Sequence, residues 1–171
     1  MKFDGMKKRG AFALATVLAA GVTAVSAADA DNASEIARGK YVAVVMGCND
    51  CHTPNYLLTE GKVPEKLWLT GSSFGWRGPW GTTYPFNLRK RLMDFTEDQW
   101  VAFAKTFKAR PPMPWFDVNQ MHEDDLRALY RYVRYLGPDD TPVPAFVPPD
   151  QEPKPPYATF PAPPPAKKAE H

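Results

Sequence analysis

Five consecutive residues, Cys48-Asn49-Asp50-Cys51-His52, contain both cysteines of the chain. Two thiols three positions apart, followed at once by an imidazole, make the pattern of c-type haem attachment. The thiols reach the two vinyl groups of one haem as thioethers, and the histidine presents a ring nitrogen to the iron. Three other uses fit less well. A thioredoxin-like pair needs a strand before it and a helix after it, whereas here a helical segment precedes the motif. A zinc site needs two more ligands, but there are no further cysteines, and His122 and His171 stand at no finger spacing. A Cys48–Cys51 disulfide leaves His52 without a role. The expectation is one covalently attached haem c, with Cys48 and Cys51 as anchors and His52 as axial ligand.

A second axial ligand must come from elsewhere. The candidates are Met46, Met93, Met113, Met121 and His122. Met46 precedes the motif on a helical stretch and is expected to pack. Met93 follows the polar Arg89-Lys90-Arg91. Met113 stands in Arg110-Pro111-Pro112-Met113-Pro114-Trp115. Flanking prolines hold an extended loop with little entropy left to lose on folding, which suits aiming a thioether at a fixed point. Met113 is the expected ligand, with Met121, Met93 and His122 as alternatives. Thioether paired with imidazole raises a haem potential, as an electron carrier outside the cytoplasm requires.

These groups need a scaffold, and three segments carry helical periodicity. The first runs from about Ala33 to Met46, with Asp31, Asn32 or Ser34 as cap and Ile36, Val42, Val45 and Met46 as apolar positions. The second runs from about Glu97 to Lys108. It opens on the capping-box pair Thr96 and Gln99 and carries Trp100, Phe103 and Phe107 on one side. The third, Glu123 to Leu136, has the stripe Leu126, Leu129, Tyr130, Val133 and Leu136, acidic residues at its start and Gly137-Pro138 as its stop. Thr53 to Phe95 shows turn residues and no clear alternation. So long a loop is unusual in a compact domain unless something fills the core beside it, and a haem macrocycle does. The aromatics Phe74, Trp76, Trp80, Tyr84 and Phe86 are expected to wall it. Trp80, Tyr84, Arg77 and Arg89 are candidate partners for its propionates. Arg127, Arg131 and Arg134 read as a solvated helix face.

The ends differ in character. Lys2, Lys7, Lys8 and Arg9 precede an uncharged stretch from Gly10 that closes on Val25-Ser26-Ala27-Ala28, the pattern of a cleavable export signal over residues 1–28. A retained membrane anchor is the alternative. The formal charge of +2 then belongs to the signal, since the remainder carries 17 basic and 18 acidic residues. That balance excludes a strongly basic nucleic-acid binder. The expected location is the periplasm, with no membrane span in the mature form. From Pro138 to His171, 12 of 34 residues are proline. Proline lacks an N–H and fixes φ, so this stretch reads as an extended Pro-rich tail outside the 29–137 haem domain. Its aromatics Phe146, Tyr157 and Phe160 raise the alternative of a strap that docks on this domain or on a partner. On the tail reading, a chain ending near Pro144 keeps its fold.

The order helix, C-x-x-C-H, long loop, helix, Met-Pro loop, C-terminal helix resembles the class I c-type cytochromes. In that family a glycine on the first helix lets an aromatic of the last helix pack closely, and Gly39 with Leu129-Tyr130-Arg131-Tyr132 matches. Over roughly residues 35 to 137 the chain is most similar to the haem modules of cytochrome subunits of periplasmic alcohol- and sugar-type dehydrogenases. Gly81-Thr82-Thr83-Tyr84 through Asn87-Leu88, Met113-Pro114-Trp115, and Asp125-Leu126-Arg127-Ala128-Leu129-Tyr130 carry that likeness. Those subunits carry three haem modules and this chain one. The resemblance implies a mainly α fold, with three or more helices around one haem. It also implies a non-enzymatic carrier that exchanges single electrons with a redox partner on a dehydrogenase or terminal-oxidase side. A haem enzyme or gas sensor with an open sixth position is the competing class.

Overall fold

A computed structural model describes residues 27–161; most of the expected export segment and the last ten residues lie outside them. Helices dominate. In chain order they are α1 (Ala27–Val45), α2 (Cys48–His52), α3 (Leu88–Arg91), α4 (Glu97–Thr106), α5 (Trp115–Gln120) and α6 (Glu123–Leu136). Three short strands, β1 (Gly75–Gly78), β2 (Gly81–Thr83) and β3 (Tyr157–Thr159), form one sheet in the order β2-β1-β3.

The three expected helices are present with shifted ends. α1 extends upstream of Ala33 as far as Ala27, where the described residues begin. Asp31, Asn32 and Ser34 therefore lie inside it and cap nothing. Its buried side is Gly39, Val42 and Ala43, while Val45 and Met46, expected in the core, are exposed. α4 has the expected capping box: Gln99 N–H donates to Thr96 Oγ1 at 3.3 Å and Thr96 N–H to Gln99 Oε1 at 2.9 Å. It stops at Thr106, two residues short of Lys108. α6 covers the expected span and ends at Gly137 with φ 79°.

The core lies where α1, α4 and α6 meet. Val42 and Ala43 of α1, Trp100, Val101 and Ala104 of α4, and Leu126, Leu129 and Val133 of α6 are buried together. Trp100 Nε1 donates to the Leu126 carbonyl at 2.9 Å, which satisfies a buried indole. The arginines of α6 are not a plain solvated face. Arg131 reaches Glu97 of α4 at 2.8 Å and Glu35 of α1 at 3.2 Å, and Arg127 reaches Asp98 at 2.6 Å.

The stretch 53–95 is more structured than its composition suggests. A turn from Thr53 to Gly61 leads through the short 3-10 turn Glu65–Leu67 to the antiparallel hairpin β1–β2, with Trp76 opposite Thr83. The tail completes this sheet. β3 runs parallel to β1, with Trp76 opposite Ala158, and Val147 forms an antiparallel bridge with Thr82. The boundary drawn at residue 137 is thus not a structural one. Residues 138–161 are extended, as the prolines require, and they lie on their own domain. Among the described residues, no helix is long and apolar enough to cross a membrane.

Candidate functional site

α1 gives way to α2 through Gly47, whose φ of 65° is a left-handed turn that suits glycine. α2 then spans the whole Cys48–His52 motif in little more than one turn. Asn49 is fully buried, and its Oδ1 accepts from the Thr53 hydroxyl at 2.7 Å. Thr53 Oγ1 in turn accepts from Leu69 N–H at 2.8 Å, which ties the motif to the following loop. Both cysteines are free thiols. Burial, with a smaller contribution from the Asp50 carboxylate, pushes the Cys48 thiol up to about 12 and raises Cys51 as well. Neutral, half-buried thiols of this kind are not activated nucleophiles.

His52 is 4% exposed, and its Nδ1 lies 2.7 Å from the Phe86 carbonyl oxygen. A carbonyl only accepts, so Nδ1 carries the proton and Nε2 keeps its lone pair. Burial lowers the affinity of the ring for a second proton, which favours the neutral form. A neutral imidazole fixed by a partner behind it is able to ligate a metal through Nε2. The Phe86 ring meets the imidazole edge-on at 5.3 Å.

Cys51 and His52 line a cavity of about 220 Å³. Trp76, Thr83, Tyr84 and Phe86 of the hairpin and its continuation line it too, as do Arg110, Pro112 and Met113 of the α4–α5 loop and Phe146 of the tail. Among the candidate axial ligands, only His52 and Met113 line this cavity. Met121 is buried in the helical core. Met93 Sδ accepts from Arg134 at 3.0 Å, Met46 is exposed, and His122 is exposed at the start of α6. Cys48, the second expected anchor, is half-buried and packs against the helical core one turn before His52.

The expected aromatic wall is present in part: Trp76, Tyr84 and Phe86 line the cavity, while Phe74 and Trp80 do not. Of the proposed propionate partners, Arg89 is committed elsewhere. It is 7% exposed and donates to the carbonyls of Gly137 at 2.7 Å, Leu136 at 2.6 Å and Lys66 at 2.7 Å. It therefore caps the C-terminal end of α6. Arg77 pairs with Glu152 at 2.5 Å. Three buried donors of the hairpin, Trp80 Nε1, Thr82 Oγ1 and Thr83 Oγ1, and Asn49 Nδ2 of α2 have no hydrogen-bond partner among the described residues; of these four, Thr83 lines the cavity. Buried orphans are uncommon in native folds and point to an absent polar group.

Five further residues line the cavity that the sequence does not single out for it: Thr83, Pro85, Ala109, Arg110 and Phe146. Phe146 carries a legible signal, since Pro144 and Pro148 frame it much as Pro112 and Pro114 frame Met113. Among the described residues, no cluster of three or more His, Cys, Asp and Glu forms a cation site. No family model, curated protein or solved structure matches the chain.

Proposed function

We propose that the protein is a mono-haem c-type electron carrier with His52 and Met113 as axial ligands and Cys48 and Cys51 as covalent anchors. One observation carries this reading. An imidazole whose Nδ1 is already engaged, one of the two thiols and a proline-framed thioether, drawn from distant parts of the sequence, line one cavity. The donor set fits the group. Imidazole nitrogen with thioether sulfur is a known axial pair for haem iron, and aromatic walls suit a flat apolar ring.

The haem supplies a reversible one-electron couple. Each residue then has a limited task. The Phe86 carbonyl holds His52 in one tautomer and makes it a better donor. The prolines around Met113 restrict its loop. Tyr84, Trp76 and Phe86 exclude water, and burial is one of the levers that set a haem potential. Thr83 and Arg110 line the cavity and would offer hydrogen bonds to acidic substituents of the ring. A haem held on both faces by protein side chains would suit electron exchange with a periplasmic redox partner.

The test is to produce the full chain in a host that matures c-type haem. The expected product carries one haem through denaturation. It shows a sharp reduced α band, a weak long-wavelength ferric band of thioether ligation, and slow uptake of CO. A protein with no covalent haem overturns the proposal. A high-spin haem that binds CO at once shifts it to the sensor or enzyme class.

A further inference from the structure

The tail enters the cavity at one side chain, and that side chain touches the loop that carries Met113. The Arg110 guanidinium lies 3.9 Å from the centre of the Phe146 ring. The other cation–ring approaches among the described residues are between 5.2 and 5.9 Å. This one is therefore a stacked contact rather than a near neighbour.

Both partners are placed so that the contact matters. Met113 N–H donates to the Arg110 carbonyl at 3.3 Å, so the two residues form one turn. Among the described residues, the only other hydrogen bond of residues 109–113 runs from Trp115 N–H to the Met113 carbonyl at 2.9 Å and joins the turn to the start of α5; none ties it to the hairpin or the tail. Phe146, in contrast, is anchored before and after. Upstream, Asn87 Nδ2 donates to the carbonyls of Asp139 at 3.0 Å and Thr141 at 3.3 Å. Downstream, Val147 and Thr82 exchange backbone hydrogen bonds of 2.7 and 3.1 Å. The ring lies over Gly81, where a Cβ would fall 2.8 Å from Phe146 Cζ. Only a glycine leaves room for it.

We infer that Phe146 is a positioning residue for the sixth-ligand loop. The tail, pinned to the hairpin, stacks on Arg110 and so holds the Met113 turn against the cavity. The inference rests on the proposed His52–Met113 reading and adds to it a residue outside the cytochrome-like segment. Without the stack, the turn keeps its prolines and its bond to α5 but has no hold on the cavity side, and the fraction of molecules with Met113 withdrawn rises.

The experiment compares the haem-loaded full chain with Phe146→Ala, Phe146→Tyr, Arg110→Ala and the Phe146→Ala/Arg110→Ala pair. Ferrous CO uptake and hydrogen exchange over residues 108–121 are the readouts. Phe146→Ala and Arg110→Ala should each speed CO uptake about tenfold, a change equivalent to ~1.4 kcal/mol. The pair should do little more than either alone, and Phe146→Tyr should behave as the parent. Arg110 is exposed, so its variant reads the contact even if Phe146→Ala does not fold. Unchanged CO uptake and exchange in Arg110→Ala, or additive effects in the pair, overturn the inference while leaving the haem assignment intact. A parent chain without haem overturns the assignment itself.

Discussion

Gly39 and Ala128 mark the closest approach of α1 and α6: a methyl carbon built at Gly39 would fall 2.0 Å from the Ala128 carbonyl oxygen. It would also fall 2.6 Å from Tyr132 Cβ. The hindering atoms include backbone, which no rotamer change can move. Tyr132 is fully buried beside this crossing, and its hydroxyl donates to Glu65 at 2.9 Å. Glu65 also pairs with Lys40 of α1 at 2.5 Å. The crossing thus sets the angle at which α1 delivers Cys48–His52 to the cavity.

Gly39→Ala should therefore cost about 3 kcal/mol, the upper end for overpacking, because the helices must separate. Urea unfolding of the haem-loaded protein measures it. A loss below ~0.5 kcal/mol would mean that the two helices are not so tightly crossed.

Replacing both Cys48 and Cys51 with Ala should give a chain with no covalently held haem. Acid–acetone extraction separates the outcomes. Haem that stays with the double variant would show that these thiols are not its anchors.

Met113→Ala should open the sixth position, lower the potential and admit CO. Ferric absorption and NMR shifts of the ligand methyl group report it directly. If both stay as in the parent chain, the ligand is another group, and Met121 and Met93 are the next to replace.

Local signals served well where the chemistry is local. The Thr96–Gln99 capping box and the 3.6-residue stripe of α6 each depend on neighbours in sequence, and each is found in place. The proline frame around Met113 also read through, to the extent that Met113 shares a cavity with His52. What failed to read depends on partners far along the chain. Arg89 stands in a basic run that looks solvated, yet its guanidinium caps α6, some 47 residues away. β1 and β2 hold three glycines in seven residues and show no alternation. They become strands because the tail covers β1 from the other side. β3 itself is only Tyr157 to Thr159, between prolines, too short for any period to show.

Acid should weaken the α4–α6 clasp. The Arg131 guanidinium, aided by Arg127, holds the Glu97 carboxyl below its ordinary range. A carboxyl whose folded value is depressed stabilises the fold above its unfolded value, ~4.3, and loses that contribution as pH falls through the folded value. Glu97→Gln should thus cost about 1 kcal/mol at neutral pH, and the gap to the parent should narrow as pH falls below the unfolded value. A gap that stays constant from neutral pH down to about pH 3 would show that the carboxylate charge is not what holds these helices.

The tail provides the most direct contrast between composition and structure. On composition, a chain cut near Pro144 keeps its fold; the contacts beyond that point argue otherwise. Gly75 N–H donates to the Pro156 carbonyl at 3.0 Å and Phe160 N–H to the Arg77 carbonyl at 2.7 Å, so β1 loses its outer partner with the tail. Val147 takes both bonds to Thr82 with it. Phe160 lies 5.9 Å from Trp76 and 5.5 Å from Trp80, ring to ring, and its removal uncovers both indoles. Glu152 joins Arg77 at 2.5 Å and the Tyr157 hydroxyl at 2.5 Å, a polar clasp on the same sheet. Against these stands a modest entropic cost, because proline-rich chain has little backbone freedom to lose. At about 1 kcal/mol net per backbone hydrogen bond, together with the aromatic area exposed, removal of residues 145–171 should cost roughly 4 kcal/mol. Tryptophan fluorescence should shift to longer wavelength as Trp76 and Trp80 meet water, and Tm should fall by ~10 °C or more. A truncated chain with the parent's Tm and emission would return the tail to a solvated appendage and leave its aromatics free for a partner.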